Sequence, residues 1–279
     1  MQTTNQTSIG KEWQRAVELE HAQSDRLRED LDDGVFWKPV AHRFTPPSKE
    51  EAGNDDTVVQ LANLISSNET VLDVGAGAGR IALPIADHAK HVTAVEPSEG
   101  MRERMIQTAE AWGISNLSII DSEWQRTEVE PHDLVVCAHV VYTVQDIEFF
   151  VQKLSANAKK HVALISFKRP AMAQYLPLWD SVHGEVRIAL PSLTEIEQLL
   201  HALDIDYEKI PLDPWISRPF KTIEQAQTES EARLFISPGS EKSQILSSVL
   251  EDSLVEVDGG YRFKWSEPHR PFIVLWNTG

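Results

Sequence analysis

Between Val71 and Phe167, short apolar runs alternate with stretches of helical spacing. No other feature constrains the fold of this chain as tightly. Residues 71–74, 91–95, 117–120, 134–138 and 162–167 read as strands. Residues 80–89, 98–112 and 146–158 read as helices, the second capped by Ser98 and closed by Gly113. Strands separated by helices of this length build repeated βαβ units around a parallel sheet. Right-handed crossovers leave few topologies for such a chain.

The flanks are of a different kind. Ile9, Trp13, Ala16 and Val17 fall at i, i+4, i+7 and i+8, and Leu27 and Leu31 continue the stripe, so 9–31 is a helix. Phe36 and Trp37 open a further helical piece with Val40, Ala41 and Phe44, which Pro46-Pro47 ends. Residues 55–66 form a helix with Asp55 or Asp56 as its cap. Beyond the fifth strand, 171–183 is helical despite Pro177. Ser192 and Glu195 form a capping box that opens a helix to Leu203. A strand at 206–212, helices from Thr222 to about Phe235 and at 242–250, a hairpin at 254–265 and a final strand at 271–276 complete the chain. The expected organisation is a disordered tail at 1–8, a helical N-terminal cap at 9–50, and one α/β domain at 51–279. That domain carries inserts at about 170–203 and 213–265.

The charge narrows the partners. With 26 Lys and Arg against 43 Asp and Glu, the net charge is −17. Phosphate backbones and anionic lipid surfaces attract basic patches, so neither nucleic acid nor a membrane is an expected partner. Cys137 is the one cysteine, so no disulfide forms within the chain. No apolar run reaches the length of a membrane span, and residues 1–10 lack the apolar segment of a signal peptide. The expected location is the cytoplasm. His132, His139 and His161 lack metal-ligand spacing, so no metal is expected.

The chemistry concentrates at the first strand. Val71-Leu72-Asp73-Val74 runs into Gly75-Ala76-Gly77-Ala78-Gly79-Arg80. Glycines let the backbone approach a ligand, and the helix that follows presents free N–H groups to it. A dinucleotide turn requires G-x-G-x-x-G, and Arg80 stands where its third glycine belongs. Glu96, at the end of the second strand, suits a grip on ribose hydroxyls in either cofactor class.

Over about residues 55–168 the sequence resembles the class I S-adenosylmethionine-dependent methyltransferases. The resemblance rests on Asp73 with Gly75, Gly77 and Gly79, on Glu96-Pro97-Ser98, on Asp121 closing the third strand, and on the strand leading to Cys137. It implies a Rossmann-like α/β fold with a seven-stranded, mostly parallel sheet whose last strand is antiparallel. It implies S-adenosylmethionine as cofactor. The turn of Gly75, Ala76, Gly77 and Gly79 would face the methionine part, with Asp73 supporting its amino group. Glu96, followed by Pro97, would bond the ribose. Asp121 would accept from the adenine amino group, with Ser122 or Glu123 beside the ring and Met101 and Trp124 packed on it. Ala138 and His139 would lie near the sulfonium.

His139 and Tyr142 are the candidate catalytic residues, placed where a base is useful if the nucleophile carries a proton. Trp13, Phe36, Trp37, Phe44 and Tyr142 are candidate substrate contacts, because aromatics line small-molecule pockets. The cap that bears the first four is expected to close over the acceptor. Tyr175, Trp179 and Trp215 in the inserts are aromatics of a kind that lines pockets and, more often, fills cores. The expected activity is methyl transfer to a small molecule. A protein methyltransferase, a non-catalytic S-adenosylmethionine-binding protein and a nicotinamide-dependent oxidoreductase remain as alternatives.

Overall fold

The computed structural model describes residues 6–29 and 46–279. Among these residues, nine strands form a seven-stranded sheet and a separate hairpin. The sheet consists of β1 (Thr70–Val74), β2 (His91–Val95), β3 (Leu117–Ile120), β4 (His132–Ala138), β5 (Ala158–Phe167), β6 (Glu208–Pro211) and β9 (Pro271–Asn277). Their order is β3-β2-β1-β4-β5-β9-β6. β9 is antiparallel to both β5 and β6, so the one reversed strand lies inside the sheet rather than at its edge.

Alternation along each strand explains the apolar runs. Leu134 and Val136 point into one core, while Val135 and Cys137 point into the other. Both faces are covered, as in other parallel sheets, so nearly every strand position is apolar. On one face lie α4 (Ala82–Ile85) and α5 (Glu99–Trp112). On the other lie α1 (Ser8–Leu27), α6 (Ile147–Ala156) and α8 (Leu193–Ala202). Later in the chain than α1, α2 (Lys49–Gly53) and α3 (Asp56–Ala62) lead to β1, and Leu61 of α3 packs on the same face as α4 and α5.

The helix expected at 80–89 shrinks to the four residues of α4. Pro84 removes a backbone donor there, and the preceding glycine turn extends to Gly79. The helix expected at 171–183 begins as a 3₁₀ segment and becomes α7 (Leu176–His183), with Pro177 in its first turn.

Three features of the structure bear on the expected domain plan. The tail does not run to residue 8, because Thr7 caps α1 and its backbone N–H donates to Glu148 on α6 at 2.7 Å. The first insert ends before α8. Leu193, Ile196, Leu199 and Leu200 bury α8 against the sheet, so it is the crossover between β5 and β6. The two inserts are also one body. Helices α7, α9 (Ile223–Leu234) and α10 (Glu241–Ser253), with the hairpin β7 (Leu254–Val257) and β8 (Gly260–Phe263), close around a third core.

α1 belongs to the main core. Trp13 is 1% exposed, and its indole N–H donates to the carbonyl of Val144 at 2.7 Å. This corrects the assignment of Trp13 to the substrate. The same apolar stripe serves a pocket or a core, and here it meets α6 and α8. Further along α1, Glu20 forms a buried ion pair with Arg187, and Gln23 bonds the backbone of Val186 and Ile188. Glu29, just past the helix, accepts from the backbone N–H of Ser237 at 2.6 Å. The helix therefore braces the sheet against the inserted body. Phe36, Trp37 and Phe44 lie outside the described residues. Tyr175 and Trp179 fill the core of the inserted body.

Candidate functional site

The strand order reverses between β1 and β4, which places a crevice at their carboxyl ends. The glycine turn closes this end of β1. The backbone N–H groups of Gly75 and Ala76 donate to the carbonyl of Val95, pinning the turn to β2. Gly75, Gly77 and Gly79 all have positive φ. A Cβ on Gly75 would collide with Val140, and one on Gly79 would lie 2.7 Å from the Leu83 side chain. Gly77 faces open space. Two of the glycines are therefore packed, and the middle one leaves room above the turn for a ligand.

Two acids, Asp73 and Glu96, stand at that turn, and a third, Asp121, lies beyond Glu96 at the end of β3. Asp73 is 2% exposed, and one of its carboxylate oxygens has no partner among the described residues. Burial pushes its pKa up to about 7, against the pull of the nearby Arg80 guanidinium. Glu96 is held from two sides, accepting from the Gly77 N–H at 2.8 Å and from the Ser98 N–H at 2.8 Å. Burial raises its pKa, and these two bonds oppose the rise. Asp121 is different, with a side chain 69% exposed.

Arg102 carried no sequence signal, and it connects the second and third acids. From α5 its guanidinium donates to the carbonyls of Glu96 at 3.0 Å and Pro97 at 2.6 Å. It also meets Asp121 at 2.7 Å. The loops after β2 and β3 are thereby clamped at a fixed separation. Ser122 donates to the Glu123 carbonyl, and Glu123 pairs with Arg126 at the surface. Met101 is buried beside this clamp on α5. Trp124 is buried in the core with the Lys153 ammonium over its ring, so its role is packing rather than stacking on an adenine.

The end of β4 forms the other wall. After Ala138 the chain turns through His139, whose φ of 61° is uncommon for a residue with a Cβ. Its N–H donates to the carbonyl of Ile165, and its ring stacks on Phe167 with centroids 4.4 Å apart. Nδ1 of His139 lies 3.2 Å from the Tyr142 hydroxyl, which also accepts from the Phe167 N–H at 3.0 Å. Burial, with the Arg80 charge, lowers the His139 pKa to about 3. Burial raises that of Tyr142 to about 12. Both groups are neutral at pH 7 and poorly matched to taking a proton. Tyr142 is a brace under His139 rather than a base. Cys137 is buried, with its thiol pKa raised, and does not reach the site.

The donor set suits an adenosyl amino acid. An orphaned buried carboxylate oxygen lacks a cationic donor, the space over Gly77 is free, and a carboxylate oriented by two backbone N–H groups suits a pair of hydroxyls. Among the described residues, no cluster of His, Cys, Asp and Glu is arranged to hold a metal ion. No described helix is long and apolar enough to cross a membrane.

Comparison with known proteins gives a family and a fold. A family described as a methyltransferase domain matches residues 47–210. A ubiquinone biosynthesis O-methyltransferase of Rickettsia akari is 24% identical over 233 residues, which cover 78% of this chain and 88% of that protein. An uncharacterised protein of Haemophilus influenzae is 33% identical over 103 residues, which span only 38% of its length and 37% of this chain. Among solved structures, the YcgJ protein of Bacillus subtilis superposes with a TM-score of 0.56 at 16% identity, covering 82% of this chain and 98% of that one. The magnesium protoporphyrin IX methyltransferase of Synechocystis PCC 6803, with S-adenosylhomocysteine bound, gives 0.50 at 14% identity over 98% and 99%. At such identities the likeness shows the fold.

Proposed function

This chain belongs to the class I S-adenosylmethionine-dependent methyltransferases, and we propose that it methylates a small-molecule acceptor. The observation that carries the reading is the open glycine turn with the orphaned Asp73 carboxylate and Glu96 beside it, together with a neutral His139 whose Nε2 has no hydrogen-bond partner among the described residues. The bound cofactor would supply a methyl group on a sulfonium, whose sulfur leaves with the C–S electron pair.

The chain's own residues bind and orient. Asp73 would take the cofactor's amino group, Glu96 its ribose hydroxyls, and Asp121 its adenine amino group. His139 would present Nε2, which has no hydrogen-bond partner among the described residues, to the acceptor. With both His139 and Tyr142 neutral, the acceleration rests on positioning. The acceptor's nucleophile then either carries no proton at pH 7 or gives it to solvent. The names of relatives support a small acceptor. They include the ubiquinone biosynthesis enzyme above and a tetrahydroprotoberberine N-methyltransferase of Eschscholzia californica, 29% identical over 94 residues.

The test uses a tritiated methyl donor with the filtrate and the macromolecular retentate of a cell lysate. Label in the filtrate is the expected result. Label confined to the retentate would mean a protein or nucleic-acid acceptor.

Two further results are expected. Below about pH 7 Asp73 is protonated and offers little to an ammonium, while above it the carboxylate is charged. S-adenosylhomocysteine affinity therefore rises from about pH 6 to about pH 8, and Asp73→Asn removes the slope. A flat calorimetric profile in the unsubstituted protein takes Asp73 away from the amino group. Arg102→Ala releases the clamp between Glu96 and Asp121. It is expected to weaken S-adenosylhomocysteine by roughly fivefold, equivalent to one net hydrogen bond of about 1 kcal/mol. Unchanged affinity would show that the adenine end needs no clamp.

A further inference from the structure

We propose that Trp215 is the stacking platform of the acceptor subsite, and that this enzyme takes acceptors built on a planar unsaturated ring. The proposal rests on the methyltransferase reading of the same crevice and adds the class of molecule that enters it.

Among the described tryptophans, Trp215 alone is exposed, at 42%. Single exposed apolar residues are common and need no function. This one is held in an unusual way. Its N–H donates to the His269 carbonyl at 2.7 Å, and its carbonyl accepts from the His269 N–H at 2.7 Å. Just before it, the Asp213 N–H donates to Asp56 at 2.8 Å, and the Leu212 carbonyl accepts from Arg270 at 2.8 Å. Its backbone is thus tied to the start of α3 on one side and to the approach to β9 on the other. With its backbone tied and its ring set against Phe167, the indole keeps a partly open face that is preorganised for a ligand.

Its surroundings are aromatic. Phe167 is the shared neighbour, with its ring 6.0 Å from Trp215, 6.3 Å from His269 and 4.4 Å from His139. Phe167 is buried, so it backs the wall and offers no free face. The free face belongs to Trp215, one ring beyond the residue that stacks on His139. Asp56, which accepts from the Asp213 N–H, follows Asp55, and Asp55 pairs with Arg80 just after the glycine turn. The segment that carries Trp215 is thus linked through Asp56 and Asp55 to Arg80, just after the glycine turn, and through Phe167 to His139. A flat ring on the indole gains stacking that a saturated ring of equal size does not.

The test compares 2-naphthol with decahydro-2-naphthol, which share a carbon skeleton and a hydroxyl and differ in their π system. Binding is measured by calorimetry on the full chain saturated with S-adenosylhomocysteine. The expected result is a preference for 2-naphthol of about threefold to tenfold. The preference disappears in Trp215→Ala and returns in Trp215→Phe. The backbone pairing of Trp215 with His269 does not involve the indole, so both variants keep it, and circular dichroism on each is the control for folding. Equal binding of the two alcohols, binding of neither, or a preference that survives Trp215→Ala overturns the proposal. The prior titration separates the two levels. If S-adenosylhomocysteine itself fails to bind, the methyltransferase reading falls as well, whereas cofactor binding without ring preference removes only the platform.

Discussion

Replacing Glu96 with alanine is expected to weaken S-adenosylhomocysteine binding by about ten- to a hundredfold. A carboxylate bonded to ligand hydroxyls in a buried site contributes about 1.5–3 kcal/mol. Glu96 also accepts from the N–H groups of Gly77 and Ser98, so its loss loosens the turn as well as the ribose grip. Glu96→Gln separates the two effects. Its amide keeps one acceptor oxygen for the backbone but loses the charge, so its affinity is expected to fall between those of the other two proteins. Calorimetric titration of the three proteins, with circular dichroism as the control for folding, is the measurement. If Glu96→Ala binds the ligand as tightly as the parent, the ribose is held elsewhere.

Trp13→Ala is expected to cost about 3–5 kcal/mol of stability and to lower Tm by roughly 10 °C. The change empties a fully buried indole site and leaves the Val144 carbonyl without its donor. Trp13→Phe refills most of the volume and isolates the hydrogen bond, with an expected cost of about 1–3 kcal/mol. Differential scanning calorimetry reads both. The outcome decides between two roles for the N-terminal helix. A core brace loses stability first, and the acceptor's KM follows only as the fold is lost. An unchanged Tm with a raised KM would return α1 to the acceptor pocket as a lid. Removal of the chain up to residue 46 is now expected to uncover the main core, because Trp13 and Val17 both lie in it.

These two residues mark the limits of reading this chain from its letters. Glu96 was legible because its signal is local. A strand, a glycine turn and an acid one βα unit later suffice, and each is a short-range pattern. Trp13 misled because a helical stripe of apolar residues names a face and not the partner that face meets. Tyr175 and Trp179 pose the same choice between pocket and core, and the structure places them in a core. Arg102 was silent because an arginine on the first turns of a helix usually faces water. Its role appears only when β2 and β3 place Glu96 and Asp121 within its reach.

The helix of Leu193–Ala202 shows the same limit at the level of organisation. Its capping box and apolar face were evident, but they do not say whether it lies on the sheet or in an insert. Capping is decided within four residues, whereas docking is decided by strands far away in the chain.

What the sequence determined by itself is the alternating α/β architecture, the cofactor turn and the acid that follows it. All three are set by backbone conformation and side-chain spacing over a few residues. What only the tertiary structure decided is which aromatic residues are core and which are open. It also joined the two inserts into one body and set Phe167, Trp215, His269 and His139 side by side. These depend on contacts between residues distant in the chain, formed once β5 and β9 pair and bring their flanking loops to one end of the sheet.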